Sequence, residues 1–325
     1  MIETTSTHGS PMDIALIRTF LEVAATGSFV SASDRLFVTQ SAVSLRIQRL
    51  EDSLGKQLFT RSKSGAVPTS AGREFERYAL SLVKIWEEAR QQVGLPEGYT
   101  RSLTIAAQYS LWPRLGFRWI DSLRQEVPDL NVRAELGMPD RITRFLIEGL
   151  VQVGLVYTPQ LRPGLTAQKL IEEELVLAAS WEATLPEAAE HYVFVDWGPE
   201  FIHAHALELP ELTSTGLTLS LGAMAAEFVI GRRAAAYLPA RSIKRHLDEG
   251  RLHLVPDAPR FPYPVWAVWR DDLDPGLRAT AERSLRAVTD RIGSEQNAVI
   301  AELRGISEGG TVEVLGGTGD SNPPA

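Results

Sequence analysis

Residues 38–61 read VTQSAVSLRIQRLEDSLGKQLFTR. Val43, Ile47, Leu50 and Leu54 are spaced by 4, 3 and 4 residues, which on a helix gathers them into one stripe. Thr39 stands where an N-cap belongs, and Gly55 where a helix ends in the left-handed conformation. The spacing therefore predicts a helix over 40–54. Ser41, Ser44, Leu45 and Gln48 turn away from its stripe, and Arg46 and Arg49 lie on the flanks. Upstream, IALIRTFLEVAAT (14–26) carries helical spacing in Ile14, Ile17, Phe20, Leu21 and Ala24 and stops at Gly27. Ser28 then opens a second helix, FVSASDRLF, and Val38–Thr39 form a short break. Downstream, LFTRSKSGAVPT reads as a small hairpin with Gly65 at its tip. A short helix, a tight turn and a second helix describe a helix-turn-helix, whose second helix enters a major groove with its first residues at base edges. The hairpin is then a wing, with Arg61 and Lys63 suited to phosphates or the minor groove. The plainer alternative is three packed helices whose surface serines meet only water, and periodicity does not separate the two.

The motifs go further. Residues 12–72 closely resemble the DNA-binding domain of LysR-type transcriptional regulators, through FLEVAATGSFVSASDRL, VTQSAVSLRIQRLEDSLGKQLFTR and PTSAG. The TQSAVSLRI order, with Arg46, is similar to the HdfR-like branch. Ser33, Ser41, Leu45 and Ser64 depart from the commoner residues, which bears on the operator sequence. The resemblance implies that Gln40, Ser41, Ser44 and Leu45 meet bases or backbone, with Gln48 on the same face. It places Leu45 against a thymine methyl and Arg46 at guanine or phosphate. Arg49 positions the helix on the duplex or remains a solvated charge.

Beyond the wing, SAGREFERYALSLVKIWEEARQQV spaces Phe75, Ala79, Leu82, Trp86, Ala89 and Val93 by 4, 3, 4, 3 and 4. That is a heptad seam for a two-helix coil. The alternative is a helix packed on its own chain. Family relatives dimerise at this helix, and a pseudo-palindromic operator requires a dimer or tetramer. After the GLPEG linker, strand-like and helix-like segments alternate: SLTIAA, LWPRLGFRWIDSLRQEV, NVRAELG, PDRITRFLIEGL and VQVGLVY, a βαβαβ rhythm with a parallel sheet expected. It resumes from ELVLAAS to the helix DPGLRATAERSLRAVTDRI. Two such units resemble the LysR-type effector domain, which is like the periplasmic binding proteins. The expected class is α+β multidomain: a winged helix-turn-helix over 12–70, a linker helix over 71–95 and an α/β effector domain of two Rossmann-like subdomains over 96–292. Residues 96–160 and 264–292 form the first subdomain, 161–263 the second, and 293–325 a flexible tail.

Ligands of such sheets bind at the carboxyl ends of strands, near helix starts. This rule selects Gln108, Tyr109 and Ser110 after the first strand, Tyr157 and Thr158 after the third, Trp197, and Ser220, Leu221 and Gly222. Ser110 with neighbouring amides suits a carboxylate. Tyr109, Tyr157 and Trp197 suit an apolar or cation–π box, or are plain core and hinge packing. Gln152 stands where relatives often carry aspartate, and a changed hinge polarity is expected. An effector-independent regulator whose C-terminal part only oligomerises is the second reading.

Composition bounds these expectations. The chain has 325 residues, 44% of them hydrophobic, and a net charge of −8. A basic coat is excluded, and a nucleic-acid site must be local. Residues 12–73 hold eight Lys and Arg against five Asp and Glu, so the positive charge gathers where the helix-turn-helix is read. Without cysteine there is no disulfide, thiolate zinc site or cysteine nucleophile. No apolar run is long enough to span a membrane, and MIETTSTHGSP lacks the regions of an export signal. It reads as a leader, with Met12 a candidate start. The expected compartment is the cytoplasm. His203, His205 and Glu208 suggest a metal site, but on a helix the two histidines face apart. No metal, cofactor or catalytic residue is assigned. An enzyme and a stand-alone solute-binding protein remain the rivals. The expected partners are double-stranded DNA, a small-molecule effector, further copies of the chain and RNA polymerase.

Overall fold

The structure is a computed structural model that describes residues 13–62, 65–212 and 216–306, with backbone alone at 61–62 and 293–306. The chain divides into two compact units, the first ending at Glu97 but also claiming Ile147–Leu150, the second made of Gly98–Leu146 and the chain from Val151 on. Lys63, the expected start Met12 and the chain after 306 lie outside the described residues.

In the first unit Ser28 and Thr39 act where expected, accepting hydrogen bonds from the Ser31 and Ala42 amides; Asp13, which the sequence reading did not single out, does the same for the Ala15 amide. They thereby start α1 (Ile14–Thr26), α2 (Phe29–Leu36) and α3 (Gln40–Leu54). Gly27 and Gly55 close α1 and α3 in the left-handed conformation. Phe37 does the same for α2, at φ 53° and 93% exposed, an unusual burden for a residue with a Cβ. Val43, Ile47 and Leu50 are buried as predicted, whereas Leu54 is 42% exposed. It sits in the last turn, beyond the reach of the core.

The wing is β1 (Phe59–Ser62) against β2 (Gly65–Pro68), antiparallel, with Ser62 opposite Gly65. Gly65 is thus the first residue of β2 and not the tip. A Cβ there would fall 2.4 Å from Gly27 O, and Ala66 N donates to that same oxygen at 2.7 Å. The wing docks so closely on the α1–α2 turn that only glycine fits. Glu51 fastens its other end, one carboxylate oxygen accepting from the Leu58 and Phe59 amides.

α4 (Ser70–Val93) follows without a break. Its inner stripe is Gly72, Ala79, Val83 and Glu87, and Glu87 pairs with Arg18 of α1. This corrects the heptad reading. Phe75, Ala79 and Leu82 belong to the unit's own core: Ala79 is fully buried, and Phe75 meets Phe20 edge-on at 5.0 Å. Only Trp86, Ala89 and Val93 of the predicted seam face outward, beside Tyr78 and Ile85. Counting apolar residues misplaced the stripe, because the true inner face contains a glycine and a paired glutamate.

Among its described residues the second unit holds two larger sheets and a separate two-stranded one. The first has order β4-β3-β5-β13-β6. β3 (Arg101–Ala107) runs parallel to β4 (Leu130–Leu136) and β5 (Val153–Val156), flanked by α5 (Phe117–Glu126) and α6 (Pro139–Ile147). β6 (Leu165–Ile171) enters this sheet through β13 and not the second one. The first subdomain therefore extends past residue 160, to Ile171. TAQKL is half-polar and hid that strand. The second sheet centres on β7 (Glu174–Ala179), with α7 (Leu185–Glu190) following. β8 (Phe194–Val195) is followed by α8 (Pro199–Glu208) and pairs in parallel with β9 (Thr218–Leu219). α9 (Ala225–Ile230), β10 (Ala235–Pro239), α10 (Ala240–Asp248), β11 (His253–Leu254) and β12 (Phe261–Pro262) complete it. β10, β11 and β12 all pair antiparallel with β7, so the all-parallel expectation fails here. β13 (Val265–Arg270) returns to the first sheet, antiparallel to both β5 and β6. The chain crosses between sheets at 172–173 and at 263–264. α11 (Pro275–Ile306) closes the described chain. It runs beyond the expected end at 292, since GSEQNAVIAELRGI is rich in helix formers and Gly293 alone is a weak break.

His205 lies in the core of the second sheet, fully buried among Tyr192, Phe201, Tyr237 and Phe261. Its Nε2 bonds the Tyr192 hydroxyl at 2.9 Å. His203 is exposed on the opposite face of α8, so the pair cannot share an ion. Burial pushes the His205 imidazole down from 6.5 to about 4. Between those values the unfolded chain binds the extra proton, so stability falls as pH drops from 6.5 towards about 4 and is untouched by this group at higher pH. Urea midpoints measured across that window should decline with acid, and His205→Gln should flatten the decline.

Candidate nucleic-acid interface and effector cavity

α3 presents Gln40, Ser41, Leu45, Gln48 and Arg49 outward, with Leu45 48% exposed. Thr39 Oγ1 and Ser41 Oγ share a hydrogen bond at 3.0 Å, which orders the first turn. Ser44 is half-buried. Arg46 is half-buried too, and its Nη1 donates to Thr19 Oγ1 of α1 at 3.3 Å. In this arrangement Arg46 ties α3 to α1 and leaves the outward charge on this face to Arg49. Arg61 falls in β1, beside the wing turn.

In the second unit a cavity of about 280 Å3 opens where the two chain crossings pass. Its polar lining includes Ser110, Arg114, Glu173, Arg241, Ser242 and His246. Of the residues the strand-end rule selected, Tyr109, Ser110 and Tyr157 line it, Tyr109 at 58% exposure. Ser110 Oγ donates to the Tyr157 hydroxyl at 3.2 Å, and burial drives that phenol well above its ordinary range.

The other selections fall elsewhere. Gln108 serves the backbone, its Oε1 accepting from Tyr157 N at 2.9 Å. Thr158 lies beside Gly198. Trp197 donates to Tyr237 O at 2.9 Å and is separated from Tyr157 by Tyr263, which stacks on Tyr157 at 4.1 Å and meets Trp197 edge-on at 5.3 Å. The expected box of Tyr109, Tyr157 and Trp197 therefore does not form. Ser220, Leu221 and Gly222 stop short of the cavity, which takes Ala223, Met224, Ala226 and Glu227 instead. Gln152 is at the far end of β5, its Oε1 accepting from Thr104 N at 2.7 Å, and does not touch the hinge.

Sequence reading missed Glu173 and Arg241. The two side chains are 4% and 8% exposed, with Arg241 Nε 3.2 Å from Glu173 Oε2. Arg241 stands in the first turn of α10, just past β10, so the rule that selected Ser110 selects it equally. Glu173 sits in IEEEL, where three consecutive acids look like a solvated loop. Burial lifts its carboxyl to about 7, against the pull of Arg241 and Arg114.

Residues 14–73 match the family of bacterial regulatory helix-turn-helix proteins of the lysR type, and residues 96–288 match the LysR substrate binding domain. The HTH-type transcriptional regulator HdfR of Yersinia pestis (strain Pestoides F) is 29% identical over 274 residues, 81% of this chain and 92% of the relative. HdfR of Yersinia pseudotuberculosis serotype O:1b (strain IP 31758) matches to the same extent. A solved LysR family transcriptional regulator aligns with TM-score 0.51 at 20% identity, covering 85% of this chain and 99% of that one. A full-length OxyR variant from Pseudomonas aeruginosa aligns with TM-score 0.50 at 20% identity, covering 85% and 98%. These two share the fold. With both halves of the pattern present in one chain, this protein belongs to the LysR family of DNA-binding transcriptional regulators, a family of regulators and not of enzymes.

Proposed function

We propose that the protein binds a pseudo-palindromic operator as a dimer or tetramer in the cytoplasm, and that a small molecule in the cavity at 172–173 and 263–264 sets its activity. Gln40, Ser41, Ser44, Leu45 and Gln48 read base edges. Arg49 and the wing residues Arg61 and Lys63 hold phosphates. The observation that carries this reading is the outward face of α3, polar from its first turn and backed by a core that fixes its pitch. Two copies joined along the outer face of α4 present two such helices to successive grooves. The effector acts by binding one arrangement of subunits more tightly than another, and the bound regulator engages RNA polymerase at the promoter.

Selection from random duplexes by the purified chain tests this. The recovered sites should be inverted repeats bound with a steep salt dependence. Arg49→Ala should weaken every site alike and lower the log–log salt slope by about 1. Gln40→Ala should instead relax the preference at one position of each half-site. Absence of any salt-sensitive duplex binding would remove the reading.

A further inference from the structure

Two arginines from elements far apart in the chain line the effector cavity. Arg241 comes from the first turn of α10, and Arg114 from the turn before α5; Arg114 Nη1 donates to the Arg241 carbonyl. Arg241 Nη2 donates to Glu172 O. Its Nε, buried and 3.2 Å from Glu173 Oε2, makes no hydrogen bond. One buried carboxyl thus faces two guanidiniums. The cavity's second acid, Glu227, has its side chain 74% exposed, 4.0 Å from His246 Nε2. The inner end of the cavity is short of one negative charge, and the Arg241 Nε there is ion-paired with Glu173 without a well-aligned hydrogen bond, so a ligand acceptor can improve on its present partner. The remaining wall is apolar: Leu111, Leu115, Ile171, Met224, Val265 and Ile292.

Resting on the effector reading above, we infer that the cavity takes a small organic acid with one carboxylate, held between Arg241 and Arg114 with its apolar body along that wall, and that Glu173 takes up a proton from solvent as the acid binds. Glu173 is the partner the incoming carboxylate must displace or hydrogen-bond. As an anion it repels the ligand; protonated, it donates to it. The groups facing Glu173 are Arg241, Arg114, Tyr157 and Tyr263, besides its neighbours Glu172 and Glu174. Burial places its ionisation near neutrality, at about 7, so the exchange needs no extreme pH. A volume of about 280 Å3 is at the lower end of ligand pockets, which suits a single ring or a short chain. Glu173 also lies on a crossing strand, its carbonyl accepting from Tyr263 N of the other crossing at 2.7 Å. Occupation is therefore felt at both strands that join the two sheets.

Titration calorimetry of the full chain with 3-phenylpropionate and hexanoate, against their amides and the matching amines, tests the assignment. The carboxylates should bind best. Their affinity should fall about tenfold from about pH 6 to about pH 8, with proton uptake, read in buffers of different ionisation heat, rising from near zero at the acid end towards one per ligand at the alkaline end. Glu173→Gln should keep carboxylate binding and abolish its pH dependence. Arg241→Gln should remove binding, and Arg114→Gln, at an exposed position, should weaken it about tenfold with the fold unchanged. Binding of an amide or amine as tight as that of its acid, failure of both acids to bind, or indifference to Arg114→Gln would overturn the inference. An amine that binds and shifts operator affinity would overturn it while leaving the effector reading standing. An acid that binds as described yet leaves operator affinity unchanged would support it and remove the effector reading.

Discussion

Ile85→Glu combined with Trp86→Glu should leave the first unit folded and turn the protein into monomers that hold operator DNA about 10²–10⁴-fold more weakly. Both side chains already face outward, at 61% and 47% exposure, in line with Tyr78 at 59% and Val93 at 88%. Four large apolar side chains along one helix face are more than a lone surface helix carries without a partner. Burying each in a two-helix seam is worth about 1.5–3 kcal/mol. Two glutamates per copy would instead place four carboxylates in the seam. The fold is spared because the inner stripe of Gly72, Ala79, Val83 and Glu87 is on another face. Light scattering reads the mass and fluorescence anisotropy the operator affinity; a persistent dimer would move the subunit contact off this helix.

The second large effect concerns Gly72, the last residue of PTSAG. Glycine within a helix ordinarily costs about 1 kcal/mol relative to alanine, so Gly72→Ala in an open α4 would stabilise. Here the sign reverses. A Cβ would lie 2.2 Å from Leu58 O and 3.3 Å from the Pro68 Cβ. Leu58 O cannot retreat freely, because it accepts from Thr69 N at 2.9 Å, the bond that joins the start of the wing to its end. Gly72→Ala should therefore cost about 2–4 kcal/mol, read as a fall in the urea midpoint, and should loosen the wing. Unchanged stability would mean that the wing and α4 are not held this closely.

Local sequence was sufficient wherever one segment supplied all the groups its structure needs. Caps at Asp13, Ser28 and Thr39, the left-handed turns at Gly27 and Gly55, and the 4, 3 spacing of Val43, Ile47 and Leu50 are satisfied within a few residues of one another. The helix-turn-helix, the wing and the alternation of the C-terminal part were therefore legible, and the motifs that name the family lie in the same stretch. Orientation between segments was not. Whether Phe75 faces its own core or a partner, whether Arg46 faces DNA or Thr19, and which sheet claims residues 165–171 depend on neighbours distant in the chain. The same holds for the pairing of Glu173 with Arg241, 68 positions apart. Such a pair leaves no periodic trace, because its energy comes from burial that only the packed tertiary structure creates.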